Sequence, residues 1–297
     1  MTQKGIAIAL GGGGVKGVSH IGVLRALTRN GFDIQAIGAT SMGALVGVLF
    51  GLGYSPNEME QVFHQLKRTG YSGRDKKSEP AFLGLRRFEK FAREFFGKKT
   101  FHDLKTPLIV TAAEIKHGRE IFIREGLLVE ALLASVALPG IFPARRMMDM
   151  NLVDGGALNP VPVEAARSLV DVKTPVVAVV LTAPLGVPAT MERIVLPRFI
   201  PRWLAQRIKR LRSVQAIDIF LLSQDMLNRA ITKHNLDRSK PDLILRPNVA
   251  HLHTLDTGYV TEIALEGDSA VRHALPELLK LFPASAEEEM HHEPRPA

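Results

Sequence analysis

Hydrophobic residues in this chain gather in short runs, separated by longer segments in which apolar positions recur with the period of a helix. Short apolar runs bounded by turn-forming residues are typical of buried strands. The runs that predict strands are Gly5–Leu10, Ile34–Ala39, Pro107–Ile115, Arg119–Arg124, Val176–Leu181 and Leu243–Arg246. Helices are predicted between them, including Gly17–Asn30 and Ala44–Leu52, each followed by a glycine. This alternation predicts an α/β fold, with a parallel or mixed sheet and helices on both faces.

The second predicted strand ends beside a serine, Ser41, at a sharp turn into the next helix. The residues around it are small: Ala39, Gly43 and Ala44 leave room for a strained backbone and a closely approaching substrate. Such a strand-turn-helix corner exposes the nucleophile of G-x-S-x-G enzymes. Here Ala39 replaces the first glycine, and Gly38 lies one position earlier. Taken alone, a serine in such a string is more often an ordinary turn residue than a nucleophile.

A glycine-rich loop, Gly11–Gly17, follows the first predicted strand and opens a helix. Backbone N–H groups at such a helix start stabilise negative charge, either on a phosphate or on the oxyanion of an acyl-transfer intermediate. The loop also fits the G-x-G-x-x-G dinucleotide pattern, with Asp33 about twenty residues further on. However, a ribose-binding acid belongs at the carboxyl end of the second strand, which Ser41 occupies. A Walker loop is excluded because Lys16 precedes Gly17 and no G-K-[ST] string follows.

A third candidate is the tripeptide Asp154-Gly155-Gly156, which ends an apolar approach. Asp and Gly are standard turn formers, so the tripeptide alone predicts only a turn. The preceding segment, Ala134–Pro143, predicts a helix end, a proline-glycine turn and an apolar return toward Asp154. An aspartate can act as the base for a serine if burial raises its pKa enough for it to accept a proton near neutral pH.

These motifs, in this order, resemble the pattern of the patatin-like phospholipase family. They are a glycine loop, an elbow, an A-S-x-A-L-P-G-x-F-P segment and a D-G-G tripeptide, at Gly12–Gly17, Ala39–Gly43, Ala134–Pro143 and Asp154–Gly156. The resemblance covers residues 5–182 and implies a patatin-like three-layer α/β/α sandwich with a mainly parallel or mixed central sheet. It implies that Ser41 is the nucleophile and Asp154 the base of a Ser–Asp dyad.

The same resemblance implies an oxyanion hole made of the backbone amides of Gly12, Gly13 and Gly14. The residues that support the motifs are Lys16, Gly17, Ala39, Gly43, Gly155 and Gly156. The departures from the family pattern are Ala39 in the elbow and Asn159-Pro160, where many relatives carry two asparagines. Neither departure removes a group that does chemistry.

The implied function is a serine acyl hydrolase that cleaves carboxylic esters of lipids, of the phospholipase, lysophospholipase or esterase type, without a cofactor or a metal. His20, three residues after the glycine loop, is expected to be a packed residue and not the base. None of the ten histidines has H-E-x-x-H spacing. Two alternatives stay open: a dinucleotide-binding enzyme that uses the Gly12–Gly17 loop, and a non-catalytic membrane-binding or regulatory module.

Composition agrees with a single enzyme domain, because 297 residues with 46% hydrophobic and 23% charged content fit an α/β protein. We expect a catalytic core over 5–182, a region over 183–283 that completes the domain, a mobile loop over 71–80 and a disordered tail over 284–297. The absence of cysteine excludes disulfides, thiolate metal sites and a cysteine nucleophile. No apolar run is long enough for a transmembrane helix or a signal peptide, so we expect a cytoplasmic protein, with a peripheral position at the membrane as an option.

Charge is distributed unevenly along the chain, whose formal net charge is +8. Residues 67–99 hold eleven basic and four acidic residues, and residues 191–217 hold seven basic and one acidic residue. In the second segment Leu204, Ile208 and Leu211 share one face of a predicted helix. The residues predicted to dock on an anionic membrane are Arg202, Trp203, Arg207, Lys209, Arg210 and Arg212. A solvated helix packed on the sheet is an equal alternative, and nucleic acid is disfavoured because neither segment resembles a known binding motif.

Overall fold

The computed structural model describes residues 4–69, 85–147, 149–187, 212–252 and 259–282, which contain one eight-stranded sheet. The strands are β1 (Lys4–Leu10), β2 (Phe32–Thr40), β3 (Leu108–Glu114), β4 (Arg119–Ile123), β5 (Arg145–Met147), β6 (Met150–Asp154), β7 (Val176–Val179) and β8 (Leu243–Leu245). Their order is β5-β6-β3-β2-β1-β7-β8, with β4 also paired to β3. Strands β3, β2, β1, β7 and β8 are parallel neighbours, whereas β4, β5 and β6 pair antiparallel. The sheet is therefore mixed, with a parallel centre.

Helices cover both faces of this sheet. They are α1 (Ser19–Arg29), α2 (Met42–Gly51), α3 (Pro56–Thr69), α4 (Arg86–Phe96), α5 (Leu128–Ser135), α6 (Val163–Arg167), α7 (Arg212–Ser239) and α8 (Val260–Lys280). Because side chains alternate along a strand, β1 contributes to two cores. Ile6, Ile8 and Leu10 enter the larger core, with α1 to α5 and α8. Ala7 and Ala9 enter a smaller core, with α6 and α7. The predicted three-layer α/β/α sandwich is confirmed.

The smaller core is built from small side chains, which let α6 lie close to the sheet. A Cβ atom at Gly38 of β2 would lie 2.5 Å from the amide nitrogen of Ala166 and 2.6 Å from the carbonyl oxygen of Pro162. Only glycine fits there. The next residue, Ala39, belongs to the larger core on the other face. The glycine beside the elbow therefore serves helix packing, and Ala39 packs as an ordinary core residue.

Near the site, the structure corrects the start of one helix and contains one hairpin that the sequence pattern does not predict. The first helix does not begin at Gly17, because a 3-10 turn covers Gly14–Val18 and α1 begins at Ser19. The pattern before Asp154 predicts only an apolar return, whereas the chain forms the β5–β6 hairpin there. Strand β5 has two arginines among its three residues, so no apolar run marks it.

Several predicted features lie outside the described residues: the loop 71–80, the tail 284–297 and most of the basic segment 191–217. The division into a core over 5–182 and a completing region over 183–283 stays a prediction. Among the helices of the described ranges, none combines the length and the apolar character needed to cross a bilayer.

Candidate active site

Ser41 stands between β2, which ends at Thr40, and α2, which begins at Met42. Its backbone has φ 55° and ψ −124°, a left-handed conformation that residues with side chains rarely adopt. Gly43 is required in the turn, because a Cβ atom there would clash with the carbonyl oxygen of Leu10 at the end of β1. The strained turn thus presents the serine at the carboxyl edge of the parallel strands, as in a nucleophile elbow.

A serine from another helix holds this turn. The N–H of Ser41 donates a hydrogen bond of 2.8 Å to Oγ of Ser135, the last residue of α5. Ser135 is fully buried, so the bond is shielded from water. The sequence assigns Ser135 no role, although the residue lies in the A-S-x-A-L-P-G segment. The motif marks Ser135 as a residue of interest, but it does not reveal that its hydroxyl binds the N–H of Ser41.

Asp154 meets Ser41 because of where β6 ends. In the sheet register Thr40 pairs with Thr111 of β3, and Asp154 pairs with the adjacent residue Ala112. Asp154, the last residue of the antiparallel strand β6, therefore lies at the same level in the sheet as the end of β2. Ser41 and Asp154 line one cavity, and the Ser41 side chain favours the charged form of the Asp154 carboxylate. The structure thus brings together the two residues that the motifs single out.

The carboxylate of Asp154 is almost fully buried, with 4% of the residue exposed. Burial raises its pKa to about 6, even though the Ser41 side chain and the hydrogen bond from the Gly156 N–H favour the charged form. The bond from Gly156 to Oδ1 is 2.8 Å long. A carboxylate with this pKa is charged at neutral pH and is basic enough to take up a proton during a reaction.

Behind Ser41 and Asp154, polar contacts join strands β2 and β3 to the loop that follows Asp154. Thr40 Oγ1 lies 2.7 Å from Thr111 Oγ1 and donates to the carbonyl oxygen of Asn159 at 3.2 Å. Gly155 packs on the same threonine, since a Cβ there would lie 2.5 Å from Thr111 Oγ1. These contacts fix the Asp154 loop against β2 and β3.

Asn159 extends the network toward α7. Its Nδ2 donates to Glu120 Oε1 at 3.0 Å, and its Oδ1 accepts a hydrogen bond of 3.2 Å from Asn235. Burial raises the pKa of Glu120, against the effect of the hydrogen bond from Asn159. The sequence marks Asn159 only as a departure from the family pattern, because its partners become neighbours only in the folded chain.

The glycine loop lies against the elbow. A Cβ atom at Gly12 would lie 3.2 Å from Cβ of Ser41, and one at Gly17 would lie 2.6 Å from Cγ of Met42. Side chains at these two positions would press on the serine turn. The lysine between them in the motif, Lys16, is buried and lines the cavity described below.

One of the three amides expected in the oxyanion hole is engaged by a backbone carbonyl. The N–H of Gly12 donates a hydrogen bond of 2.9 Å to the carbonyl oxygen of Pro160. Of the three predicted amides, those of Gly13 and Gly14 are the candidates for the oxyanion hole. Gly14 has φ 58°, a left-handed conformation that suits glycine.

His20 is a packed residue, as predicted, and it contacts the glycine loop. Its side chain is fully buried, and Nε2 lies 2.7 Å from the carbonyl oxygen of Gly11. Because a carbonyl only accepts hydrogen bonds, Nε2 carries the proton. Burial lowers the pKa of His20 to about 4, so the ring is neutral near pH 7. The histidine anchors the start of the loop.

A cavity of about 190 Å³ is lined by Ser41, Asp154 and the glycine loop. Most of its wall is apolar and comes from Leu85, Phe88, Val136, Leu138, Ile141, Phe142 and Leu181. Helix α7 adds a polar side with Gln224, Asp225 and Asn228. A cavity built in this way accommodates a ligand that has an apolar part and one polar end.

The dinucleotide alternative has no support in this geometry. Asp33 pairs with Gly5 near the amino ends of β2 and β1, whereas the glycine loop follows the carboxyl end of β1. From the rise of a strand, the two ends are roughly 17 Å apart. Nor does the part of the chain that the structure describes contain a group of three or more His, Asp or Glu side chains that could hold a metal ion.

The fold and the elbow define an α/β sandwich protein with a serine at the carboxyl edge of its parallel strands. The family comparison agrees. The chain belongs to the patatin-like phospholipase family, because the model of that family matches residues 8–167. The resemblance seen in the four motifs is thereby confirmed.

Individual relatives match a similar region. An uncharacterised NTE family protein of Mycobacterium bovis is 32% identical over 162 residues, which make up 53% of this chain and 44% of that protein. Patatin-like phospholipase domain-containing protein 6 of Mus musculus is 30% identical over 179 residues, 57% of this chain and 13% of that protein. The chain thus spans less than half the length of these relatives. The crystal structure of VipD from Legionella pneumophila matches 94% of this chain and 67% of that chain, with a TM-score of 0.51 and 14% identity, which shows the fold alone.

Proposed function

We propose that this protein is a serine acyl hydrolase that cleaves carboxylic ester bonds of lipids. The observation that carries the proposal is that Ser41 lines one cavity with the buried Asp154 carboxylate, whose pKa burial raises to about 6. A serine hydroxyl is a weak nucleophile until an adjacent base takes its proton, and Asp154 is such a base. Membership of the patatin-like phospholipase family supports a lipid ester hydrolase in general.

In the proposed reaction Oγ of Ser41 attacks the ester carbonyl carbon while Asp154 accepts the hydroxyl proton. The amides of Gly13 and Gly14 stabilise the oxyanion of the tetrahedral intermediate. Collapse of the intermediate breaks the bond to the alcohol oxygen, which leaves with the proton from Asp154. Water then attacks the acyl-serine with Asp154 as base, which releases the fatty acid and restores the enzyme.

The lining of the cavity supports a lipid as the substrate. An acyl chain gains free energy by leaving water for the apolar wall, which includes Phe88, Leu138 and Phe142. The polar side formed by Gln224 and Asn228 of α7 suits the alcohol part of the ester. We therefore propose a phospholipase, lysophospholipase or esterase type of activity that needs no cofactor.

Substitution of the two residues tests the proposal. Ser41→Ala and Asp154→Asn should each lower ester hydrolysis by about 10³-fold or more, and the double variant should be scarcely worse, because residues that act as a unit lose activity non-additively. A fluorophosphonate probe should label the wild type and not Ser41→Ala. Two matched variants replace the same residue types away from the cavity, Ser269→Ala and Asp33→Asn. Both should keep the labelling and the activity.

Other outcomes would support the alternatives. Absence of probe labelling together with NAD(P) binding that Asp33→Asn weakens would favour a dinucleotide enzyme. Liposome binding that Ser41→Ala leaves unchanged, with no hydrolysis of esters of any chain length, would favour a non-catalytic module.

Full activity of Asp154→Asn would rule out the dyad. Loss of activity in a folded His20→Ala variant would point to a histidine base.

We also propose peripheral contact with anionic membranes through the basic segment. Its residues Arg202, Trp203, Arg207, Lys209 and Arg210 lie outside the described residues, and Arg212 begins α7. The described part of α7 supports the proposal through three exposed apolar residues, Ile219, Met226 and Leu227. The same helix lines the cavity with Gln224 and Asn228, so a lipid surface against α7 would present its esters close to Ser41.

A further inference from the structure

A second cavity, of about 270 Å³, lies beside the catalytic one, between α7 and the segments that follow β7 and β8. Thr182 lines both cavities. A second link is the ion pair, 2.7 Å long, between Asp225, which lines the catalytic cavity, and Arg229, which lines the second one. The polar and charged side chains in the second cavity, besides Thr182, are Arg229, Thr232, Lys233, Asp237 and Arg246.

Two donors of this cavity have no hydrogen-bond partner among the described residues. They are the Nε–H of Arg229 and the hydroxyl of Thr232, on residues that are 8% and 3% exposed. Buried donors are nearly always paired in folded proteins, because leaving one unpaired is costly. The two residues are three apart on α7 and therefore share one face of the helix. These unpaired donors indicate a binding site, where a ligand supplies the missing hydrogen-bond acceptors.

Arg246, the residue after β8, adds a positive charge to the same cavity. One of its Nη atoms donates to the carbonyl oxygen of Thr182 at 3.3 Å, and within the described ranges no carboxylate pairs with it. The residue is exposed overall, and partial burial of its guanidinium lowers the pKa of Arg246. By contrast, Lys233 pairs with Asp237 at the exposed rim, an interaction that contributes little.

We propose that this cavity binds a phosphate group, held by the Nε–H of Arg229, the hydroxyl of Thr232 and the guanidinium of Arg246. All three groups are donors. The charge of Arg229 is shared with Asp225, whereas the guanidinium of Arg246 has no acidic partner within the described ranges. Guanidinium groups also match the geometry of phosphate oxygens.

The phosphate has two sources. It is either the headgroup of a lipid ester seated in the neighbouring catalytic cavity, a source that rests on the proposed hydrolase function, or a free phosphate compound that acts as an effector. In both cases the ligand meets the same three donors. Because Thr182 lines both cavities, a phosphate group from either source can influence the catalytic cavity.

Calorimetric titration with inorganic phosphate tests the site directly. Arg246→Gln should weaken binding by about tenfold or more, because a charge-assisted hydrogen bond is lost. Thr232→Val should weaken it about fivefold without lowering the melting temperature, because the hydroxyl has no partner in the free protein. Arg29→Gln is the charge-matched control at the end of α1 and should bind phosphate like the wild type. No phosphate binding by the wild type, or an equal loss in the control, would overturn the site.

Activity then distinguishes the two sources, with lysophosphatidate and monoacylglycerol of the same acyl chain. A headgroup site predicts that Arg246→Gln lowers kcat/KM for lysophosphatidate about tenfold more than for monoacylglycerol. An effector site predicts that added phosphate changes monoacylglycerol hydrolysis by the wild type and has at least a tenfold weaker effect on Arg246→Gln. If neither these lipids nor a soluble short-chain ester is cleaved, the hydrolase proposal fails, and the calorimetric result still decides the phosphate site.

Discussion

In the proposed mechanism, burial of the Asp154 carboxylate favours activity and lowers stability. The same burial that raises its pKa to about 6 makes it a usable base and disfavours its charged form in the folded protein. Both consequences can be measured, one as a pH dependence of the rate and the other as a pH dependence of unfolding.

Ester hydrolysis should rise with pH to a midpoint near 6 and level off above it, because only the deprotonated Asp154 can accept the Ser41 proton. An aspartate with an ordinary pKa would place the midpoint near 4. The measurement is kcat/KM for a soluble short-chain ester between about pH 4.5 and pH 8. A midpoint near 4 would show that the pKa of Asp154 is not raised.

Asp154→Asn should raise the free energy of unfolding at pH 8 by up to about 3 kcal/mol, because a neutral amide replaces a buried charge. The folded pKa of about 6 lies above the ordinary value of 3.8, so the folded protein binds this proton first. The contribution of Asp154 to wild-type stability therefore increases as the pH falls from about 6 to 4. The advantage of the variant should shrink over that range in urea denaturation.

His20 should produce the opposite pH dependence over nearly the same range. Its folded pKa of about 4 lies below the ordinary 6.5, so the unfolded chain binds the proton first and stability is lost as the pH falls from about 6.5 to 4. In the wild type the contributions of His20 and Asp154 offset each other. In Asp154→Asn only the histidine contribution is left, so this variant should lose stability on acidification more steeply than the wild type. Parallel curves for the two proteins would contradict the shift assigned to Asp154.

Single residues differ in how far their surroundings could be predicted. Ser41 and Asp154 each stand at a turn with adjacent glycines, and these glycines leave a local pattern in the sequence. Ser135 contacts Ser41 from 94 positions away, and no local pattern records that hydrogen bond. The engagement of the Gly12 amide by Pro160 is likewise a result of tertiary packing.

Among the elements, α1 positions the glycine loop that precedes it, and α8 holds α1. Two glycines bring the backbones of these helices into contact: a Cβ at Gly22 would clash with the carbonyl oxygen of Ala264, and one at Gly267 would clash with the backbone of α1. Arg25 of α1 also forms an ion pair with Asp268 of α8, with both side chains mostly buried. The crossing therefore depends on the absence of side chains at two positions.

Gly22→Ala should lower the free energy of unfolding by about 3 kcal/mol, because backbone atoms of α8 cannot move away unless the helices separate. Gly47→Ala is the matched control, also inside a helix. A Cβ there would meet side-chain atoms of Leu108 and Ile37 at 3.2 and 3.3 Å, which can adjust. The higher helix propensity of alanine offsets part of the crowding, so its effect should stay within about 1 kcal/mol. Equal losses in the two variants would show that the α1–α8 contact is not close.

How well a helix or strand can be predicted from the sequence depends on how deeply it is buried. The parallel strands β1, β2 and β3 are buried on both faces and appear as apolar runs, so their positions are confirmed to within a few residues. The β5–β6 hairpin lies at the edge of the sheet, and half-exposed residues such as Arg145 hide it from a hydrophobic pattern. Strand β6 ends at Asp154. Because the hydrophobic pattern does not predict the β5–β6 hairpin, it also does not predict that Asp154 lies beside Ser41.

For the molecule as a whole, the parallel order gathers distant segments at one edge. Strands β1, β2, β7 and β8 end on the same side, so the glycine loop, Ser41, Thr182 and Arg246 become neighbours although they span most of the chain. The sequence predicts this edge in outline, because alternating strands and helices give parallel sheets. It does not predict the strand order, which depends on contacts between segments far apart in the chain.

The distribution of charge over the molecule predicts that the protein docks on anionic membranes through the segment that carries Trp203. Exposed charges are screened over about 10 Å at 0.1 M salt, so binding to anionic liposomes should weaken steeply as salt rises. Trp203 is the only tryptophan, and its emission should shift to shorter wavelength with anionic liposomes and not with neutral ones.

Reversal of two charges in this segment separates docking from a general effect of net charge. Arg210→Glu with Arg212→Glu should abolish the emission shift, while hydrolysis of a soluble short-chain ester continues because Ser41 and Asp154 are untouched. Lys116→Glu with Lys173→Glu makes the same change of net charge at two exposed lysines outside the segment and should leave the shift intact. If the Trp203 spectrum is unchanged while anionic vesicles are hydrolysed at the normal rate, the segment is a solvated helix face and lipid reaches the cavity by another route.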